Sequence, residues 1–440
     1  MVACSRSWSG LSAGLLLFAA FSACSTGDGV PPDETAGSAG TGGSSGAGAS
    51  GGGGGTSGAG TAGSPAAGDG AGGEDDPGPR CDPEANRFGT VEAANPLVSV
   101  GKSVEASDGV SNPEAVVDGA YHEGSGAKFG TPTEDDPRWI AIDVGEGPAR
   151  LLLTWADTAF TDYTHSATIP RDYRVETAAD FSDADEDWET VASFEGNEVR
   201  TGGVSFDFEG KRWVRFVVTA APGATPPVVI DEIALYDASD SPDERASDSW
   251  FFLGDSITSG AFPRNFGDSD FDAQVRAARP DFTPALVNAG ISGETAAGAL
   301  SRLPDVLEQS ASFRFVAIGY GTNDSWGNQN VELVRFEDTL NEIVEQVLDS
   351  GATPILARIP FANGKNAAGQ DEHRSVPDFN AVIDRISAER GLPCGPDFYA
   401  WFEAHPEELS ADGVHPTSSG YRSMNRLWAE AALALYPAAD

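Results

Sequence analysis

The stretch SWFFLGDSITSGAF, Ser249 to Phe262, sets a serine just past an apolar run, with Gly254 and Asp255 turning the chain between them. A serine hydroxyl is a weak nucleophile until a base takes its proton. It also needs a group to orient that base and donors for the oxyanion that its attack creates. In ADGVHP (411–416), Asp412 precedes His415 by three residues. A tight turn there can aim the carboxylate at imidazole Nδ1, fixing the tautomer and stabilising the imidazolium. Taken singly these are also ordinary features: a serine in a turn, a plain Asp-Gly turn, and a surface histidine before Pro416.

The elements around them have the pattern of a parallel sheet. WFFLG (250–254), ALVNAG (285–290), FRFVAIGYG (313–321) and TPILARIP (353–360) read as buried strands. In 330–351, residues Leu333, Phe336, Leu340, Ile343, Val344, Val347 and Leu348 make one helix face, and Gly351 follows as a C-cap. Residues 375–391 and 417–436 repeat the helical spacing. Strands alternating with helices predict a sheet covered on both faces, with sites beyond the carboxyl ends of its strands. The loops 261–282 and 362–375 are expected to wall the pocket.

Four motifs fall at or near such ends: GDSIT (254–258), NAGISGET (288–295), GYGTND (319–324) and ADGVHP (411–416). Together and in this order they resemble the SGNH hydrolases, also called GDSL esterases and lipases, over nearly all of residues 250–436. The resemblance implies a three-layer α/β/α, flavodoxin-like domain over residues 241–440. It implies a serine esterase whose catalysis needs no cofactor, with Ser256 as nucleophile, His415 as base and Asp412 as orienting acid. The oxyanion hole it implies consists of the backbone N–H groups of Ser256 and Gly290 and the side-chain amide of Asn323. Each such donor is worth a factor of about 100 to 1000 in rate. Asp255 is read as shaping the turn and Asp324 as holding a loop. The sequence has no HExxH, no dense His/Asp cluster and no phosphate loop, so a metal-assisted or phosphoryl mechanism has no support in it.

Residues 81–240 differ. Short apolar runs such as WIAIDVG (139–145), RDYRVETA (171–178) and RWVRFVVTA (212–220) alternate with turn residues. This is the pattern of an all-β sandwich. NPEAVVDGAY (112–121), WIAIDVG, PRDYRVETA, DWETVA, RWVRFVV and DEIALYD resemble the discoidin, or coagulation-factor type C, module. That implies a galactose-binding-like jelly roll. It further implies a structural Ca²⁺ with Asp118 and Glu232 among its ligands. A turn aspartate and an edge-strand glutamate are the alternative. Tyr121, His122, Phe129, Tyr163 and His165 lie in predicted loops and are candidates for stacking on sugar rings, whereas Trp139 and Trp213 sit in strand patterns and are expected in the core. A mere spacer is the other reading of this module.

The N-terminus speaks for export. Arg6 precedes an apolar stretch, Leu11–Phe21, too short to span a bilayer, which needs ~20 residues. The segment ends FSAC, Phe21–Cys24, which resembles a bacterial lipobox, although Phe21 stands where leucine is preferred. Residues 1–23 are thus expected to be a signal peptide and Cys24 to be lipidated, with ordinary signal cleavage as the alternative. Ser25 after the cysteine favours the outer membrane or cell surface. Residues 24–80 are dominated by Gly, Ala, Ser and Thr, a linker with an r.m.s. reach of about 40 Å. With Cys4 and Cys24 accounted for, Cys81 and Cys394 remain in an oxidising compartment, either as a disulfide or as two unrelated thiols.

The chain carries 68 acidic against 27 basic residues, a formal charge of -41, which disfavours nucleic acid as a partner. The expected activity is ester hydrolysis, with acylated carbohydrate as the substrate that the neighbouring module suggests, by a monomer. The rivals are a lipase, thioesterase or arylesterase on non-sugar esters, and a surface carbohydrate-binding protein with an inactive hydrolase domain.

Overall fold

The computed structural model describes residues 80–81, 89–121, 126–157, 168–223, 227–327, 331–365, 369 and 371–438. Cys24, His122, Tyr163, His165, the signal segment and nearly all of the linker lie outside the described residues. Among the described residues no helix is long and apolar enough to cross a membrane.

Residues 74–440 form one unit. Its first part holds two antiparallel sheets. β1 (Val104–Ala106), β3 (Arg138–Asp143), β8 (Trp213–Ala220), β5 (Asp172–Ala178) and β6 (Glu189–Phe194) lie side by side in that order; β10 (Glu232–Asp237), β4 (Arg150–Ala156) and β7 (Thr201–Asp207) make the second sheet. A short pair, β2 (Ala127–Lys128) and β9 (Val229–Ile230), lies beside them. Alternation decides which side chains go inside. Ile140, Ile142, Val214, Phe216, Leu151, Leu153 and Trp155 enclose a shared core.

The same alternation corrects two expectations. Trp139 and Trp213 are half-buried and point away from that core, because their neighbours Ile140 and Val214 take the inward positions. They gather with Phe181 and Trp188 on the outer face of the five-stranded sheet. Phe129, expected in a loop and free to stack on a sugar, is fully buried edge-on to Phe216. Tyr121 is buried too, beneath the Arg264 guanidinium at 4.0 Å.

The second part is a parallel sheet of order β12 (Ala285–Asn288), β11 (Ala246–Gly254), β13 (Phe313–Gly319) and β14 (Thr353–Leu356). Phe251 and Leu253 of β11 face a core shared with α3 (Ala296–Gln309), α4 (Leu333–Asp349) and α5 (Val376–Arg390). Trp250 and Phe252 face the opposite core, with α1 (Ser256–Ala261), α2 (Phe271–Ala278), α6 (Phe398–Ala404) and α7 (Ser418–Leu433). The sheet is therefore covered on both sides, in line with the three-layer expectation.

β11 starts earlier than its apolar run. Ala246–Ser249 is buried strand, although its polar residues read as a junction. Most of its polar groups find partners inside: Ser247 Oγ accepts the N–H of Glu92, and Asp248 Oδ1 accepts Tyr436 O–H at 2.5 Å and Trp250 Nε1–H at 3.1 Å, while Asp248 Oδ2 is buried without one. The segment 261–282 contains α2, which packs on α7 and contributes nothing to the wall of the main cavity.

The two parts meet closely. Gly203 lies where a Cβ would come within 2.9 Å of the Phe313 ring and 2.7 Å of Leu153 O. Tyr173 O–H donates to Gln309 Oε1 at 2.5 Å, and Ser205 N–H donates to Ser312 Oγ at 2.7 Å. Cys81 and Cys394 are joined, with their Cα atoms 5.1 Å apart. Beside them Arg80 pairs with Asp397, which also holds Arg358 at 3.0 Å and caps α6 through Ala400 N–H at 3.1 Å.

Candidate active site

The connection after β11 runs to β12 on one side, while that after its other neighbour, β13, runs to β14 on the opposite side. The carboxyl end of such a strand opens a crevice between diverging loops. Ser256 stands there as the first residue of α1. Asp255 caps that helix, taking the N–H of Ile257 at 2.9 Å. Gly254 is required, since a Cβ would lie 2.7 Å from Gly319 O on the next strand.

Ser256 Oγ lies 2.8 Å from His415 Nε2, and His415 Nδ1 lies 2.7 Å from Asp412 Oδ2. The other carboxylate oxygen of Asp412 accepts Ser410 O–H at 2.7 Å, Val414 N–H at 2.8 Å and His415 N–H at 3.0 Å. Partial burial pushes the Asp412 carboxyl up. The bonds from His415, Val414 and Ser410 outweigh it and hold the carboxyl at about 2. An ionised acid thus faces Nδ1, which makes Nδ1 the protonated nitrogen and leaves Nε2 to accept from the serine.

Two further carboxyls are buried nearby. Burial raises Asp255 to about 7, against the pull of Ile257 N–H and His415. Burial raises Asp324 to about 6, against Ala296 N–H, which it takes with both oxygens at 3.1 Å to cap the start of α3. Both serve as helix or loop anchors.

Ser256, Asn323, Asp412 and His415 line one cavity of about 580 Å³. Gly290 does not; it borders a smaller cavity of about 40 Å³ with Arg200, Tyr121 and Arg264 from the meeting of the two parts. Its N–H donates to Asn288 Oδ1 at 3.0 Å. The lack of a side chain is needed there, because a Cβ would come within 2.4 Å of Ser259 N. Asn323 Nδ2 donates to Glu294 O at 2.9 Å and lies 3.5 Å from Asp255 Oδ2. Two of the three expected oxyanion donors therefore already have protein acceptors.

The far wall of the cavity comes from Asn363, Gly364, Lys365, Glu372 and His373 and from Trp326, which directly follows the GTNDS stretch. The loop was legible as a wall; His373 and Trp326 carried no motif that would have singled them out.

Glu232 opens β10, and Asp118 ends the short 3₁₀ helix Pro113–Val117 beside it. Glu232 Oε2 accepts Gly119 N–H at 3.2 Å, while the buried Oε1 has no partner. Burial raises this carboxyl to about 9; Gly119 N–H and Arg264 oppose the rise, and Asp118 adds to it. An orphaned carboxylate oxygen beside a second carboxylate suits a hard cation. Among the described residues, however, no group of three or more His, Cys, Asp or Glu side chains converges. A cation here would need main-chain carbonyls for the rest of its shell.

Fold and site together define an α/β protein built around a serine, an imidazole and a carboxylate in series. Residues 252–423 match the GDSL-like Lipase/Acylhydrolase family. Thioesterase 1/protease 1/lysophospholipase L1 of Escherichia coli (strain K12) is 30% identical over 173 residues, 39% of this chain and 76% of that protein. The arylesterase of Vibrio mimicus is 23% identical over 184 residues, 39% of this chain and 82% of its own length. Among solved structures, Axe2, an acetylxylan esterase from Geobacillus stearothermophilus, is similar at 26% identity and a TM-score of 0.36, covering 42% of this chain and 94% of that one. The chain belongs to the GDSL-like lipase/acylhydrolase family and is, at that level, an ester hydrolase.

Proposed function

We propose that the chain is a serine esterase that deacylates acetylated carbohydrate at a cell surface, held there by a lipid on Cys24. The observation that carries the catalytic reading is the unbroken series Ser256 Oγ, His415, Asp412, with spacings of 2.8 and 2.7 Å. Ser256 Oγ bonds to the acyl carbon as its proton passes to His415 Nε2. The ester C–O bond then breaks and the alcohol leaves with that proton. Water adds next, giving a proton to Nε2; the Oγ–acyl bond breaks, the acid departs and the proton returns to Oγ. Asp412 stays ionised throughout and stabilises the imidazolium. The oxyanion is met by Ser256 N–H at the start of α1, by Asn323 and by Gly290 N–H, which exchanges Asn288 for the substrate oxygen.

Wild-type chain is expected to cleave p-nitrophenyl acetate, and Ser256→Ala to lower kcat by about 10⁴ or more. Equal rates for both would remove the serine from the mechanism. The names of the sequence relatives favour a second reading, a thioesterase or arylesterase on non-sugar esters. Acetate release from acetylated xylan, measured against turnover of medium-chain esters, separates the two. For the sandwich we propose a galactose-binding-like module whose structural Ca²⁺ is held by Asp118, Glu232 and main-chain oxygens; a chelator should then lower its melting temperature. Palmitate labelling that survives in wild type and is lost in Cys24→Ala tests the anchor.

A further inference from the structure

Arg302, on α3, is not among the residues that line the main cavity. It nevertheless grips both loops that carry the expected oxyanion donors. Its guanidinium holds Glu294 two-pronged, with Nε–H donating to Oε1 at 2.8 Å and Nη2–H to Oε2 at 2.7 Å. Nη2 also donates to Ala289 O at 2.9 Å and lies 3.2 Å from the Tyr320 hydroxyl. Tyr320 O–H in turn donates to Glu294 Oε2 at 2.5 Å. Ala289 and Glu294 belong to the loop after β12, and Tyr320 opens the loop after β13, three residues before Asn323. The Arg302 and Glu294 side chains are only 14% and 8% exposed.

A two-pronged arginine–carboxylate pair fixes orientation as well as distance. Taking both charges out of water costs about as much as their attraction returns, so packed apolar side chains would stabilise the fold as well. What the pair adds is position. Burial raises the Tyr320 phenol well above its ordinary value; Arg302 opposes the rise and Glu294 adds to it, so the hydroxyl keeps its proton and remains a donor. One further bond carries this order to the cavity. Glu294 O accepts Asn323 Nδ2–H at 2.9 Å, and Asn323 lines the cavity together with Ser256 and His415. A side-chain amide nitrogen has two N–H donors. The bond to Glu294 O uses one and sets the twist of the amide, so it decides where the second points. Asp255 Oδ2, at 3.5 Å, is at the outer limit of a hydrogen bond and competes weakly for it. A second tie between the same loops runs from both oxygens of Asp324 to Ala296 N–H at 3.1 Å.

We infer that Arg302 is a positioning residue for ester hydrolysis: through Glu294 it holds the Asn323 amide so that its second N–H meets the oxyanion. This rests on the esterase reading above. Arg302 touches neither the substrate nor the reacting atoms. The oxyanion is absent from the bound ester and develops only on the way to the acyl-enzyme. A loss of aim should therefore fall on kcat and leave KM nearly unchanged.

The test measures kcat and KM on p-nitrophenyl acetate in a cycle of Arg302→Met, Asn323→Ala and the double variant, with Arg302→Lys and Tyr320→Phe beside it. Asn323→Ala should lower kcat by about 100-fold or more. Arg302→Met should lower it by about tenfold with KM within about twofold, and by less than about threefold once Asn323 is already replaced. Arg302→Lys, which keeps the charge and loses the fork, should regain part of the loss. If Arg302→Met does not fold, Tyr320→Phe, which removes a single hydroxyl, should lower kcat by about threefold to fivefold, and only while Asn323 is present. Equal factors in the two backgrounds overturn the positioning role, since a merely structural residue harms both alike. A change confined to KM overturns it too, as do wild-type kcat values in both Arg302→Met and Tyr320→Phe. Asn323→Ala at the wild-type rate removes the amide from the oxyanion hole and the role of Arg302 with it, while the serine esterase stands. Wild type that leaves the ester uncleaved overturns the esterase reading itself.

Discussion

The carboxyl end of β11 and the outer face of the five-stranded sheet use similar residues to opposite ends. At the sheet end, Ser256, His415 and Asp412 meet in series along an open cavity. On the sandwich, Arg215 is closed in. Its Nε–H donates to Glu176 at 2.6 Å, and its guanidinium lies 4.5 Å from the Trp188 ring and 5.5 Å from Trp139. Charge and aromatics are there absorbed into ion pairs with Glu176 and Asp185 and a satellite core. Residue type does not separate the two cases. What separates them is whether neighbouring strands cover the side chain, as they do mid-strand, or diverge from it, as they do at a topological switch.

That contrast can be broken most sharply at Asp412. Asp412→Asn should lower kcat on p-nitrophenyl acetate by about 10⁴, because the wrong imidazole tautomer would face the serine; a loss below tenfold would mean that the series is not the catalytic one. The carboxyl also has a sign to check. Its folded value, about 2, lies below the ordinary one, so its contribution to stability is present above the ordinary aspartate range and lost as pH falls toward 2. Acid unfolding curves of Asp412→Asn should be flatter over that interval.

On the sandwich the largest effect should come from Glu176→Gln, which removes one of the two carboxylates paired with Arg215 and leaves it Asp185 at 2.9 Å. It should cost about 2–3 kcal/mol in urea unfolding with little change in turnover, since a buried charge loses one hydrogen-bonded partner and keeps the other. A shift under 1 kcal/mol, on the order of an exposed pair, would show that this face is wetter than its geometry. Gly203→Val tests the contact between the parts, and overpacking against Phe313 should cost about 1–3 kcal/mol. The smallest effect belongs to Asp248. Burial raises its carboxyl to about 7, above the ordinary value, so the unfolded chain gives up its proton first and stability falls as pH rises toward 7. Asp248→Asn should therefore be relatively more stable at about pH 7 than at about pH 6, by about 1 kcal/mol in the difference. An equal change at both pH values would show that the carboxyl is already ionised when folded.

Much of this was readable from the sequence where periodicity and motif coincide. The four parallel strands, α4, α5 and α7, and the stretches carrying Ser256, Asn323, Asp412 and His415 fall where apolar spacing and turn residues place them. The readings that failed turn on information that spacing lacks. Phe129 and Tyr121 sit outside long strands and look available, yet one is covered by Phe216 and the other by Arg264, 143 residues further along the chain. Ala246–Ser249 is polar and looks like a junction, but a distant tyrosine, a tryptophan and the backbone of Glu92 give it partners inside the protein. His373 and Trp326 are unremarkable in the sequence because lining a cavity is a property of three-dimensional surroundings alone.

The Cys81–Cys394 link closes a covalent ring across a sequence separation of 313 residues, with the whole sandwich inside it. Tension arriving along the chain ahead of Cys81 passes straight to Cys394, beside the Arg80–Asp397–Arg358 cluster that anchors α6, and never runs through the sandwich strands. Mechanically the ester-hydrolase part carries the load, and the sandwich hangs slack in parallel with it. A pull strong enough to strip antiparallel strands would leave these untouched while the bond holds, and would begin to unzip them once it is reduced.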